Sequence, residues 1–307
     1  MTLAFISHSD VGMHDNGWNH PEHVGRMRAI TRAMRYHPEL FMALEHVEGR
    51  HATEAELALA HAPANITRVR EMSEAGGGRF DADTTASPGS WAAATAAAGC
   101  VLEAVERAID GRNARSFVAV RPPGHHALRD QPMGFCLFGN VAIGALRAQQ
   151  LGARRVLIVD WDVHHGNGTQ AIVETNADIH FISMHQWPWY PGSGAAEDRG
   201  PHGTVWNVPM PAGLPAAAYR EGLLKAIDAA TDGWTPDLVM ISAGFDSLAG
   251  DPLGGFSLEL DDIRALTRTL VERAQGWCGG RVVSVLEGGY EPDRVAAAVV
   301  AHLEALR

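Results

Sequence analysis

The chain has 307 residues, 46% hydrophobic and 20% charged, a composition that excludes intrinsic disorder. Its 25 Lys and Arg against 36 Asp and Glu leave a net charge of −11, which repels phosphate backbones and excludes non-specific nucleic-acid binding. No apolar run approaches the roughly 18–20 residues of a membrane span. The first residues carry neither a basic n-region nor a long apolar h-region, and the three scattered cysteines, Cys100, Cys136 and Cys278, form no Cys-x-x-Cys pair, so a cytoplasmic chain free of membrane is expected.

Short β-branched runs alternate with longer helical stretches. A strand is expected over 3–6. Thr53 with Glu56 reads as a capping box opening a short helix, and a helix over 63–75 runs into Gly76-Gly77-Gly78. Ser87-Pro88 offers an N-cap and a first helical position for a helix over 91–109 that stops near Gly111. Beyond it come a strand at 117–120, a helix at 141–150, and strands at 156–159, 179–183 and 205–208. A helix at 216–230, a strand at 238–242, a helix at 260–275, a strand at 282–286 and a helix over Pro292–Leu306 complete the series. Most of the strands are near-continuous apolar runs, as a parallel sheet covered on both faces requires. With no repeat and no linker in sight, the pattern predicts a single α/β domain spanning residues 1–307. Ligands of such sheets bind outside the carboxyl ends of the strands.

Four strand ends are rich in ionisable groups. They carry Arg121-Pro122-Pro123-Gly124-His125-His126, Asp160-Trp161-Asp162-Val163-His164-His165-Gly166-Asn167, Ala243-Gly244-Phe245-Asp246 and Glu287-Gly288-Gly289-Tyr290. On an extended segment Asp162 and His164 share a face. A carboxylate and an imidazole suit Zn²⁺, and Asp246 is a third ligand that leaves room for water and substrate. A lone Asp-x-His reads more readily as a helix cap and a turn; the other polar strand ends reverse that in favour of the metal.

His125-His126, held by two prolines, need partners on their outer nitrogens, and Asp160 and Asn167 are available. They read either as a general acid–base pair or as core histidines satisfied by carbonyls. Tyr290, on a flexible glycine turn, is placed to swing over a pocket and donate to an oxyanion. Gly134-Phe135-Cys136 and Trp187-Pro188-Trp189-Tyr190-Pro191-Gly192 supply aromatics for an apolar channel or for ordinary loop packing.

Together these segments resemble the histone deacetylase superfamily, in its class II and bacterial deacetylase-like branch. His20-Pro21-Glu22, Tyr190-Pro191-Gly192-Ser193-Gly194, Asn207-Val208-Pro209 and Asp251-Pro252-Leu253 join the likeness, in family order over nearly the whole chain. The resemblance implies the arginase/deacetylase α/β fold, a central parallel sheet of about eight strands flanked by helices. It implies one catalytic Zn²⁺ on Asp162, His164 and Asp246, although Fe²⁺ stays open. His126 becomes the general base and acid, with His125 mainly electrostatic; Asp160 supports His125, Asn167 supports His126, and Tyr290 polarises the substrate carbonyl. Phe135 and Tyr190, beside Gly134, line an acyl-lysine tunnel. A structural K⁺ is implied near the zinc, on oxygens of Asp160, Asp162, His164, Ser183 and Met184. Asp83 falls where some members bind substrate backbone.

Three positions refine the likeness. Asn167 stands where class I members carry Asp. Leu253 stands where the polyamine-selective animal branch carries Glu. Tyr190 replaces a tunnel Phe. The expected activity is Zn²⁺-dependent hydrolysis of an acyl amide, foremost N-ε-acyl-lysine, with an acetylpolyamine or other small acylated amine as the alternative substrate. A non-catalytic binding module would need an emptied site, and an arginase-like ureohydrolase a second set of metal carboxylates. A homo-oligomer is left open.

Overall fold

The computed structural model describes residues 2–307. Eight parallel strands make the central sheet. They are β1 (Leu3–Ser7), β2 (Leu44–Glu48), β5 (Arg115–Val118), β6 (Val156–Asp160), β7 (Ile179–Gln186), β8 (Val205–Met210), β9 (Leu238–Ala243) and β10 (Val282–Leu286). A two-stranded hairpin, β3 (Gly78–Arg79) and β4 (Thr85–Ala86), lies apart from it. Ten helices connect them: α1 (Gly25–Tyr36), α2 (Pro38–Ala43), α3 (Glu54–Leu57), α4 (Pro63–Glu74), α5 (Ser90–Asp110), α6 (Asn140–Gln150), α7 (Asn167–Val173), α8 (Ala216–Thr231), α9 (Leu260–Cys278) and α10 (Pro292–Leu306).

Apolar residues on both faces of the central strands force helices onto both faces of the sheet. In β9, Val239 and Ile241 join a core with residues of α1, α8, α9 and α10, while Leu238 and Met240 join the opposite core under α5 and α6. The expected α/β fold is thus present. No helix among the described residues is long and apolar enough to cross a membrane.

The strand order is β2-β1-β5-β10-β9-β6-β7-β8. The four strands with polar ends, β5, β10, β9 and β6, are therefore consecutive neighbours at the centre. Strand β10 pairs with β5 on one side and β9 on the other, with Ser284 opposite Phe117 and Ile241.

Several local expectations shift. The capping box on α3 is present: Glu56 N donates to Thr53 Oγ1 (3.3 Å) and Thr53 N to Glu56 Oε2 (2.8 Å). Ser87 does not cap α5, which begins at Ser90. The Ser87 amide instead donates to Ser90 Oγ (2.6 Å), while Ser87 Oγ accepts the Asp15 amide (2.9 Å), so Ser87-Pro88 forms the turn before the helix. The strand expected at 117–120 spans Arg115–Val118, because the chain turns toward Arg121 after Ala119 N makes its last ladder bond to Ile6 O (2.8 Å). The strand expected at 179–183 runs on to Gln186, because β8 pairs with it that far. Strand β2 and helices α1, α2 and α7 were not foreseen.

Candidate active site

The ends of β5, β6, β9 and β10 converge on one cavity of about 220 Å³, lined by Asp83, His126, Gly134, Phe135, His164, Trp189, Tyr190, Leu253 and Tyr290. At its floor, His164 Nδ1 lies 3.0 Å from Asp162 Oδ1 and 3.2 Å from Asp246 Oδ2, and all three residues are buried. Asp162 and His164 do not share the face of an extended strand. They sit on a bend after β6, where the Asp162 carboxylate accepts the His164 amide (2.9 Å) and turns both side chains inward.

The remaining carboxylate oxygens are held by backbone. Val163 N donates to Asp246 Oδ1 (2.8 Å) and Gly288 N to Asp162 Oδ2 (2.9 Å). Glycine is required at that approach: a Cβ on Gly288 would fall 2.2 Å from Asp246 Oδ2 and 2.5 Å from Asp162 Oδ2. Asp246 Oδ2 itself is buried with no hydrogen-bond partner. Burial, reinforced by the Asp162 charge, pushes the Asp246 carboxyl up to about 7. A buried oxygen without a donor, in a set of one imidazole and two carboxylates, fits a divalent cation of the Zn²⁺ type. Among the described residues the other group spaced for a metal, His8, Asp10 and His51, lies outside this cavity.

The two tandem imidazoles stack with centroids 4.0 Å apart but have different partners. His125 Nδ1 is 3.0 Å from Asp160 Oδ2, and His126 Nδ1 is 2.7 Å from Asn167 Oδ1. Burial opposes charge on His125, yet Asp162 and Asp160 outweigh it and raise its pKa well above the usual value. Burial, with the His125 and His164 charges, drives His126 well below the usual value. An amide oxygen only accepts, so His126 carries its proton on Nδ1 and keeps an Nε2 lone pair.

Tyr290 already stands at the cavity wall. Its amide donates to Asp251 Oδ2 (2.7 Å), its ring meets Phe135 edge-on at 5.8 Å, and the Arg26 guanidinium lies 5.3 Å from its centroid. Burial, with Asp246 and Asp162, raises its phenol pKa well above the usual value, so it remains a donor.

The tunnel walls come from loops fixed at short range. Gly134 touches His126 so closely that a Cβ would sit 2.4 Å from the ring. Phe135 has φ +66°, with its amide donating to Thr84 Oγ1 (3.1 Å). Tyr190 packs edge-on against His126 at 5.1 Å, and Trp189 Nε1 donates to Leu253 O (2.8 Å) across the mouth. Asp83 lines the same opening. Every expected catalytic, tunnel and metal-set residue is thereby brought together. Of the expected K⁺ set, Asp160 and Ser183 face each other across the β6–β7 register, and Met184 follows on β7.

Four contributors, Trp189, Glu287, Glu22 and Arg26, have no role assigned by the sequence. Trp189 was seen only as one aromatic of its motif. Glu287, fully buried, accepts Gly124 N (2.6 Å) and His125 N (3.2 Å), tying the histidine loop to the end of β10, and burial pushes its carboxyl up to about 7. Glu22 chelates Arg121 through Nε (2.8 Å) and Nη2 (2.7 Å) and binds Arg26 Nη1 (3.1 Å). Arg26 in turn donates to Gly289 O (2.6 Å), beside Tyr290. The His-Pro-Glu motif and Arg121 are the sequence signals for that cage; Arg26 has none.

The profile of the histone deacetylase domain matches residues 20–306. The histone deacetylase-like amidohydrolase of Pseudomonas aeruginosa is 38% identical over 261 residues, covering 83% of this chain and 68% of that protein. The human polyamine deacetylase HDAC10 is 35% identical over 327 residues, covering 100% of this chain but 48% of the relative. The crystal structure of the HDA15 HD domain superposes with a TM-score of 0.94 at 35% identity, over 99% of this chain and 89% of the other.

Proposed function

The chain belongs to the histone deacetylase family, whose members hydrolyse amides, and we propose that it is a Zn²⁺-dependent deacylase of N-ε-acyl-lysine side chains. The observation that carries this is a single cavity that gathers the Asp162–His164–Asp246 set, His126 and Tyr290 behind an aromatic mouth. Zn²⁺ on those three residues would supply Lewis acidity to the substrate carbonyl and to water.

The chain's own groups do the rest. His126 Nε2 takes the proton of the attacking water and returns it to the leaving amine. Asn167 keeps that ring in the needed tautomer. His125, paired with Asp160, supplies fixed charge beside the reacting atoms. The Tyr290 hydroxyl donates to the carbonyl oxygen as negative charge develops there. Phe135 and Tyr190 confine the acyl-lysine stem and exclude water. K⁺ on Asp160, Asp162, His164, Ser183 and Met184 belongs to the same proposal: Asp160 is fully buried, with its carboxyl pKa raised by burial, which a cation alongside would offset. Three free, buried cysteines support a cytoplasmic setting.

One observation favours a second substrate, an acetylated polyamine or other small acylated amine. Asp83 places a carboxylate at the mouth, suited to a cationic tail as well as to a peptide amide. Turnover of an acetyl-lysine peptide and of N-acetylputrescine separates the two. On the preferred substrate Tyr290→Phe should lose on the order of 10²–10³ in kcat. Asp246→Ala should lose both stoichiometric zinc and turnover. Unchanged turnover in either variant overturns the mechanism.

A further inference from the structure

Outside the cavity, a second group of side chains is spaced as metal ligands are: His8 after β1, Asp10 in the 3-10 turn Ser9–Met13, and His51 before α3. His51 is anchored from behind. Its loop is pinned to α5 by Ala52 N donating to Thr95 O (2.8 Å), and its Nδ1 lies 2.8 Å from Thr95 Oγ1. The Thr95 hydroxyl has two helix carbonyls in donating reach, those of Trp91 (2.8 Å) and Ala92 (3.1 Å). With that proton on a helix carbonyl, Thr95 Oγ1 accepts from His51 Nδ1, and Nε2 turns a lone pair to Asp10 Oδ2 at 3.0 Å.

A neutral ring in that tautomer would set a lone pair against a carboxylate. In that tautomer the pair calls for a positive charge between its two atoms, which a metal ion supplies. A metal-binding histidine donates its outer ring N–H to an oxygen acceptor and turns its inner nitrogen to the ion. The 3.0 Å separation also equals that of His164 Nδ1 and Asp162 Oδ1 in the buried set. The His8 ring stands edge-on to His51 at 4.7 Å, its Nδ1 3.9 Å from Asp10 Oδ2. That nitrogen accepts the Asp10 amide (3.1 Å), so it is the weakest of the three ligands.

We infer that His51, Asp10 and His8 form a second, surface site for a borderline divalent transition metal such as Zn²⁺, with water completing the shell. Two imidazoles and one carboxylate match that class and disfavour Ca²⁺ and Mg²⁺, which want oxygen throughout. The site would staple the segment after β1 to α5.

The test is zinc content of the tag-free, full-length protein after equilibrium dialysis at fixed micromolar free Zn²⁺. Wild type should hold one equivalent more than His51→Ala and one more than Asp10→Asn, which keeps the shape of the carboxylate. His8→Ala should retain that equivalent with weaker affinity. Deacylase turnover should be the same in all four proteins. Reading the difference between proteins separates this site from the buried one, whose failure to load would lower all of them together. Equal zinc content in wild type and Asp10→Asn across the micromolar range overturns the inference.

Discussion

Glu22→Gln is the most informative perturbation of the frame around the active site. Glu22 is fully buried, and despite the burial that opposes its charge, Arg121 and Arg26 hold its carboxyl down at about 2, against an ordinary value of 4.5. That depression of roughly 2.5 units corresponds to about 3 kcal/mol of native stability at neutral pH. Gln keeps the shape but leaves two buried guanidinium groups without a counter-charge, so the loss should reach about 3–5 kcal/mol. A carboxylate with a depressed pKa contributes fully above its unfolded value and loses that contribution as pH falls toward its folded value. The gap between wild type and Glu22→Gln should therefore be widest at pH 7 and narrow progressively below about 4.5. Urea unfolding at a series of pH values measures it directly. A gap of the same size at pH 7 and pH 3 would refute the ion-pair reasoning and leave packing as the cause. Because Arg121 opens the histidine loop and Arg26 holds Gly289, the variant should also lose kcat before it unfolds.

Gly288→Ala should lose the buried metal equivalent, since its methyl would stand 2.2 Å from Asp246 Oδ2; dialysis and metal analysis of folded protein check this. Asn167→Ala removes the acceptor on His126 Nδ1 (2.7 Å) and should cost about 10–100-fold in kcat with little change in KM, measured by steady-state kinetics. Trp189→Phe keeps an aromatic ring but loses the 2.8 Å bond to Leu253 O; KM should rise several-fold with kcat nearly intact, and a pure kcat effect would contradict its place at the mouth.

The centre of the molecule was legible because burial on both faces writes an unambiguous signature. Continuous apolar runs at β6, β9 and β10 end in charged residues that nothing in a core explains, and those ends proved adjacent. The edge was less legible. Strand β2 reads Leu-Glu-His-Val-Glu, with one buried residue, so it carries neither the apolar run nor a clean alternation. Helix α1 buries Arg26, and a pattern search treats an arginine as solvent-facing. Asp162 and His164 were paired for the wrong reason: the contact is made by a bend closed through the Asp162 carboxylate, which local propensity does not announce. The His8–Asp10–His51 group joins a loop to residues 41 positions away through a threonine on α5, and no spacing rule reaches that far.

The place of β10 has a consequence for how the site is held together. Without it, β2-β1-β5 and β9-β6-β7-β8 are two separate half-sheets, each holding part of the chemistry: the tandem histidines on one, the metal set on the other. The end of β10 closes the gap between them: Glu287 accepts the Gly124 and His125 amides of the histidine loop, while the next residue, Gly288, donates to Asp162 of the metal set, so one turn of chain registers the two groups against each other.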